Sequence, residues 1–285
     1  MNNKFLENLK DSWWQYIQIA VLLLIIPCCI FFNFKETIET ELLITDKTID
    51  IDIIKIFILL LVKKGNLFIG IGLFIFLLCI IIKNNTNRLL NSGNHYHDHK
   101  YIYYWLCSHI LGYKKCSLIL VPVYMQIKLV LNDTFSEYYY GDNETYQNET
   151  NDSNSIIIEK NNWTDEQPKV INIVVSDTYP IEPNKLPHLY STTPAIYITR
   201  VNNSNSTSRV YSPSLIESLN NEINKIPGCF IINLFATTNP KNLYFMTRNI
   251  FQKAKRSNIT HIVVFPQTKG IENNWRFDES GKRIY

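Results

Sequence analysis

Residues 169–177 read KVINIVVSD. The run from Lys169 to Val175 is apolar with hardly a break, and Ser176 and Asp177 close it. A short apolar run bounded by polar residues is the signature of a strand buried inside a sheet. Further along, Ala195–Val201 (AIYITRV) reads as a second strand, residues 202–208 as a turn, and Arg209–Ser212 as the return, so a hairpin is predicted. Ser212 then caps a helix that opens with Pro213 at its first position. Cys229–Phe235 and His261–Phe265 supply two more strands. This part of the chain is therefore α/β, with about 190 residues to build a core of its own.

Upstream of this region the signals change. Residues 132–162 are polar, acidic and rich in Asn, Glu and Thr, and read as a mobile loop. Tyr96 to Leu120 reads as one long helix, with Ile102, Leu106, His109, Ile110 and Tyr113 on one face and a kink at Pro122. Residues 84–94 form a polar connector. Before it, Tyr16–Phe34 and Asn66–Ile82 are apolar runs of the kind that cross a bilayer, and Gly65, Gly70 and Gly72 permit close helix packing. Ile51–Val62 reads equally as a third span or as an interfacial or re-entrant piece. The acidic stretch 36–52 reads as lumenal, and Lys4, Lys10, Lys83 and Arg88 as cytosolic. The expected organisation is residues 1–94 as membrane region and connector, with two to four spans, and 95–285 as a cytosolic ligand-binding domain.

Composition narrows the function. The chain has 285 residues with 28 basic and 25 acidic side chains, too even a balance for a polymeric nucleic-acid binder. The six cysteines form no CxxC pair, which argues against structural zinc and a disulfide framework. His95, His97, Asp98 and His99 resemble a metal cluster but sit on a connector without further ligands, so no metal is expected. Hydrolase, metalloprotease and phosphate-loop motifs are absent, so no catalytic residues and no enzyme are expected.

One family matches several segments in order. SRVYSPSLIESL (Ser208–Leu219), CFIINLFATTNPKNLYFM (Cys229–Met246), SHILGYKKCSLILVP (Ser108–Pro122) and IVVSD (Ile173–Asp177) resemble the stimulator of interferon genes (STING) receptors, in their tail-less invertebrate form. The resemblance implies a dimeric α/β domain on a helical transmembrane region in the endoplasmic reticulum membrane, with passage to Golgi or perinuclear vesicles. It implies a cyclic dinucleotide of the GMP-AMP type as ligand, no cofactor, and signalling by lid closure and oligomerisation in antiviral defence or autophagy. Carried over by position, Tyr113 would stack on a base and Arg209 reach the phosphates. Tyr211 would lie beneath the lid, Ser108 at the pocket floor and Gly112 near the dimer axis. Thr237, or Thr238, would contact the ribose, and Asn242 falls where the family often has a hydroxyl. The competing reading is a lumenal glycoprotein, supported by sequons such as those at Asn132, Asn143 and Asn258.

Overall fold

The computed structural model describes residues 12–31, 66–142, 146–148, 154–163, 168–202, 209–226, 228, 230–252, 259–269 and 275–284. The chain divides into two compact units, residues 1–93 with 102–115, and residues 94–101 with 116–285. Ile51–Val62 lies outside the described residues.

The first unit is helical. Helices α1 (Trp13–Phe31) and α2 (Asn66–Asn85) pack on each other, followed by the short strand β1 (Leu89–Leu90) and most of α3 (Tyr101–His109). Close approach depends on Gly70. A Cβ there would stand 3.2 Å from both Ile26 Cα and Cys29 Cβ, tighter than ordinary contact. Gln18 and Asn85 are buried and exchange hydrogen bonds of 3.0 and 3.4 Å, and Asn85 Nδ2 also donates to Leu111 O at 3.0 Å. Among the described residues, no helix is long and apolar enough to cross a membrane. Gln15 and Gln18 in α1, and Lys83 and Asn84 in α2, interrupt their apolar runs. The described residues therefore give no support to the transmembrane region and endoplasmic reticulum anchor expected from sequence.

The long helix from Tyr96 is not formed either. Helix α3 covers nine residues, and Gly112 turns the chain at φ +77°. A Cβ on Gly112 would lie 2.8 Å from Ile82 Cγ2, so glycine is required there by packing as well as by backbone. The buried face of α3 carries Tyr103, Tyr104 and Cys107, whereas Ile102 on the predicted face is 57% exposed. After strand β2 (Lys115–Ser117), Pro122 does not kink a helix. It precedes α4 (Val123–Leu131), where its carbonyl accepts from Met125 N and Gln126 N at 2.9 Å.

The second unit is built on a six-stranded sheet. Its strands are β5 (Asn154–Asn161), β6 (Val170–Ser176), β7 (Ala195–Asn202), β9 (Phe230–Thr237), β10 (Ile259–Val264) and β13 (Lys282–Arg283), in the spatial order β13-β10-β9-β6-β7-β5. β7, β6, β9 and β10 run parallel, and β5 and β13 are antiparallel edges. Side chains alternate between two faces. Ile171, Ile173, Ile196, Ile198, Ile232 and Leu234 pack under α4, α5 (Pro213–Asn224) and α6 (Pro240–Met246). On the other face Val174, Phe235 and Phe265 meet Phe277 in β12 (Trp275–Phe277), which pairs with β11 (Gln267–Lys269). The central strand β6 is buried on both faces, and this makes its sequence a continuous apolar run.

Two local expectations fail for want of non-local information. The stretch predicted as a mobile loop contains β3 (Glu137–Tyr139), β4 (Tyr146–Asn148) and β5, because β7 offers β5 a full-length antiparallel partner. The hairpin does not exist. Strand β8 (Arg209–Tyr211) pairs in parallel with β4, with Tyr146 opposite Arg209, instead of returning along β7.

Candidate functional site

In the order β7-β6-β9-β10 the chain leaves β6 toward β7 and leaves β9 toward β10, so the connections diverge between β6 and β9. Open α/β sheets form their crevice at the carboxyl ends of the strands at such a switch point. Here those ends carry Ser176 and Asp177 on β6 and Thr237 and Thr238 on β9, tied together by bonds from Asp177 N and Thr178 N to Thr237 O at 3.0 and 2.9 Å.

Asp177 is the centre of a buried polar hub. Its Oδ1 accepts from Arg200 Nε at 2.7 Å, and the side-chain exposures of the arginine and aspartate are 2% and 0%. Its Oδ2 accepts from Thr238 Oγ1 at 2.8 Å, Asn239 Nδ2 at 3.2 Å and Asn242 Nδ2 at 2.8 Å. A charge removed from water this completely is stable only when such donors replace the lost solvent. The two asparagines also donate to Val210 O at 2.9 and 3.0 Å, and Asn242 Oδ1 accepts from Ser212 N at 3.0 Å. Asn239 caps α6 through Asn242 N, and Ser212 caps α5 through Leu215 N, as Ser212–Pro213 predicted. One carboxylate thus fixes β8 and the first turns of two helices at the sheet's end.

What the hub positions is a cationic and aromatic face. Lys241, at the start of α6, is 9% exposed, and its Nζ lies over the rings of Tyr211, Tyr146 and Tyr140 at 4.8, 5.0 and 6.0 Å. Tyr244 and Phe245 continue the aromatic surface, 5.2 and 5.1 Å from Tyr140 and Tyr211 respectively. Tyr146 donates its hydroxyl proton to Tyr140 O at 2.6 Å. Burial pushes the Tyr146 phenol pKa up, while the exposed Arg209 guanidinium and the Lys241 backbone N–H hold it back. Burial also raises the Tyr211 and Tyr140 phenols. Beside this face, Tyr211, Pro213, Ile216, Glu217, Asn220 and Asn249 line a cleft of about 410 Å³.

The residues expected from sequence are distributed as follows. Ser108, Gly112 and Tyr113 belong to the helical unit. There Tyr113 is buried and its hydroxyl accepts from Gln15 Nε2 at 3.3 Å. Arg209, Tyr211, Thr237, Thr238 and Asn242 belong to the α/β unit. Of these, Arg209 and Tyr211 reach the cationic face. Thr237 donates to Tyr179 O at 2.6 Å, and Thr238 and Asn242 are spent on Asp177. Sequence reading missed Lys241, Tyr140 and Tyr146, since two of these lie in the stretch taken for a loop.

The fold and hub define an α/β unit built on a six-stranded, mostly parallel sheet with its α-helices on one face, in addition to a helical unit. The model of the SMODS- and ubiquitin-system-associated 2TM effector domain matches residues 1–279, and the chain belongs to that family. A search among curated proteins found no match. This assignment overturns the resemblance to STING receptors, and with it the GMP-AMP receptor function, its lid closure and its antiviral or autophagy output. The glycoprotein reading gains no support either. The motifs that carried the resemblance have a local explanation. R-V-Y-S-P-S is a strand, a serine N-cap and a first-turn proline, and A-T-T-N-P is a strand end followed by an asparagine cap. Such grammar recurs wherever a strand runs into a helix.

Proposed function

We propose that the chain is an effector whose α/β unit receives a cyclic oligonucleotide signal at the face formed by Lys241, Arg209, Tyr140, Tyr146 and Tyr211. The observation that carries this reading is a lysine held over three tyrosine rings with an arginine beside it. Phosphodiesters call for fixed cations and bases call for flat aromatic partners, and the two occur here together. Membership of an SMODS-associated effector family supports a signal of this class. Binding, not catalysis, is the proposed role, because the hub's carboxylate is wholly engaged by Arg200, Thr238, Asn239 and Asn242.

Calorimetry of the full chain against a panel of cyclic oligonucleotides tests the reading. Arg209→Gln is expected to weaken binding about 10-fold, as loss of a charge-assisted contact implies, and to flatten its salt dependence by roughly one phosphate contact. Tyr211→Ala is expected to weaken binding with the salt slope unchanged, since stacking carries no counterion term. No binding by any member of the panel at high micromolar concentration overturns the proposal.

A further inference from the structure

The two edges of the six-stranded sheet are unlike. On one side β13 is two residues long, and both of them, Lys282 and Arg283, are basic and exposed. Short and charged is how sheet edges are kept from pairing with other chains. On the other side β5 runs for eight residues without proline or glycine, and Ile156, Ile157 and Ile158 stand at its middle. Ile157 and Ile158 are 45% and 39% exposed. One side of β5 is fully paired to β7, from Asn154 opposite Asn202 to Asn161 opposite Ala195. Among the described residues, no strand pairs with its other side.

We propose that this edge is the contact between two copies of the chain, joined as antiparallel β5 strands about a twofold axis that passes through Ile157. The occupant follows from the strand's own self-complementarity. A twofold axis perpendicular to the sheet keeps each copy's faces in common, so residues that meet across it share the same parity. Placing Ile157 on the axis sets Ile157 against Ile157 and Ile156 against Ile158. It also sets Glu159 and Lys160 opposite positions 155 and 154, neither of which is charged. Moving the axis to residue 158 sets Ile157 opposite Glu159 and Ile156 opposite Lys160. Moving it to residue 159 sets glutamate against glutamate. Cross-strand pairs reward apolar partners and penalise like charges, so the Ile157 register is preferred. The contact is isologous and closes at two copies. It also fits the existing side-chain arrangement. Lys160 already holds Glu222 of its own chain at 2.8 Å, and Ile157 lies opposite Thr199 on the sheet face away from α5. The inference is independent of the ligand reading.

Site-specific crosslinking of the full chain tests both the surface and the register. In the Ile157 register, Ile157→Cys brings two Cβ atoms to about 4.5–5.5 Å, so mild oxidation should give a disulfide-linked dimer well above the wild-type background. Glu159→Cys is displaced along the strand by four residues, about 13 Å at the strand rise, and should give none. Both positions are solvent-exposed, so neither change disturbs the core. Crosslinking at position 159 without crosslinking at 157 overturns the register, and no added crosslinking at either overturns the interface.

Discussion

The helical unit and the α/β unit each bury a polar group where their elements meet, and they satisfy it by different means. In the helical unit the group is a neutral amide pair, Gln18 and Asn85, with Leu111 O as the third partner. In the α/β unit it is a full charge, Asp177, neutralised by Arg200 and hydrogen-bonded by Thr238, Asn239 and Asn242. An amide needs only matched donors and acceptors, and two side chains and a carbonyl suffice. A carboxylate without water needs a counter-charge as well as several donors, so its site must recruit many chain segments. The difference teaches where rigidity is concentrated. The amide pair pins two helices, while the charge organises β6, β7, β8, β9 and the starts of α5 and α6.

The largest effect is expected from attacking the charge. Asp177→Asn leaves the Arg200 guanidinium buried without its counter-ion and should cost about 3–5 kcal/mol, read by denaturant unfolding of the full chain. A cost under about 1 kcal/mol would mean that the hub relaxes or hydrates, and the contrast with the amide pair would vanish. The amide pair comes next. Asn85→Leu orphans both Gln18 and the Leu111 carbonyl and should cost about 1–3 kcal/mol. Adding Gln18→Leu to it should recover part of that loss, because fewer buried polar groups are then left unpaired; equal additive losses would show that the pair is not an interaction unit.

The smallest effect concerns a buried carboxylate whose partners are exposed lysines. Glu222 is held below the usual carboxylate range by hydrogen bonds from Lys160 and then Lys225. A folded pKa below the unfolded value means that this pairing stabilises fully above pH about 4.5 and is lost as pH falls through the depressed folded value. Lys160 and Lys225 are 39% and 65% exposed, so solvent screening limits the contribution to about 1 kcal/mol or less. Glu222→Gln should lower the melting temperature slightly at pH 7 and not at all near pH 3. An equal loss at both pH values would assign the effect to packing.

Several elements were legible from residues alone. The strands β6 and β9 announce themselves as apolar runs, because a strand covered on both faces has no solvent side to encode, and β7 and β10 were legible as shorter apolar-rich segments. The start of α5 was legible at Ser212–Pro213, since capping is settled by neighbours three residues apart. Helices α1 and α2 were likewise visible as long apolar segments. In the candidate site, Arg209 and Tyr211 were picked out and Lys241, Tyr140 and Tyr146 were not.

What only the tertiary structure decided is which distant pieces meet. Helical spacing marked one face of α3 at Ile102 and Leu106, yet Tyr103, Tyr104 and Cys107 fit the same period, and packing buried the latter. Arg209–Tyr211 reads as the return of a hairpin until β4 offers a parallel partner more than sixty residues earlier. Residues 154–161 read as loop until β7 supplies a full antiparallel ladder. Asp177 reads as a strand end until Arg200, Asn239 and Asn242 surround it. In each case local physics allows two states of similar free energy, and hydrogen bonds or burial contributed by remote segments select between them. Those contributions depend on three-dimensional proximity, which spacing along a single chain does not encode.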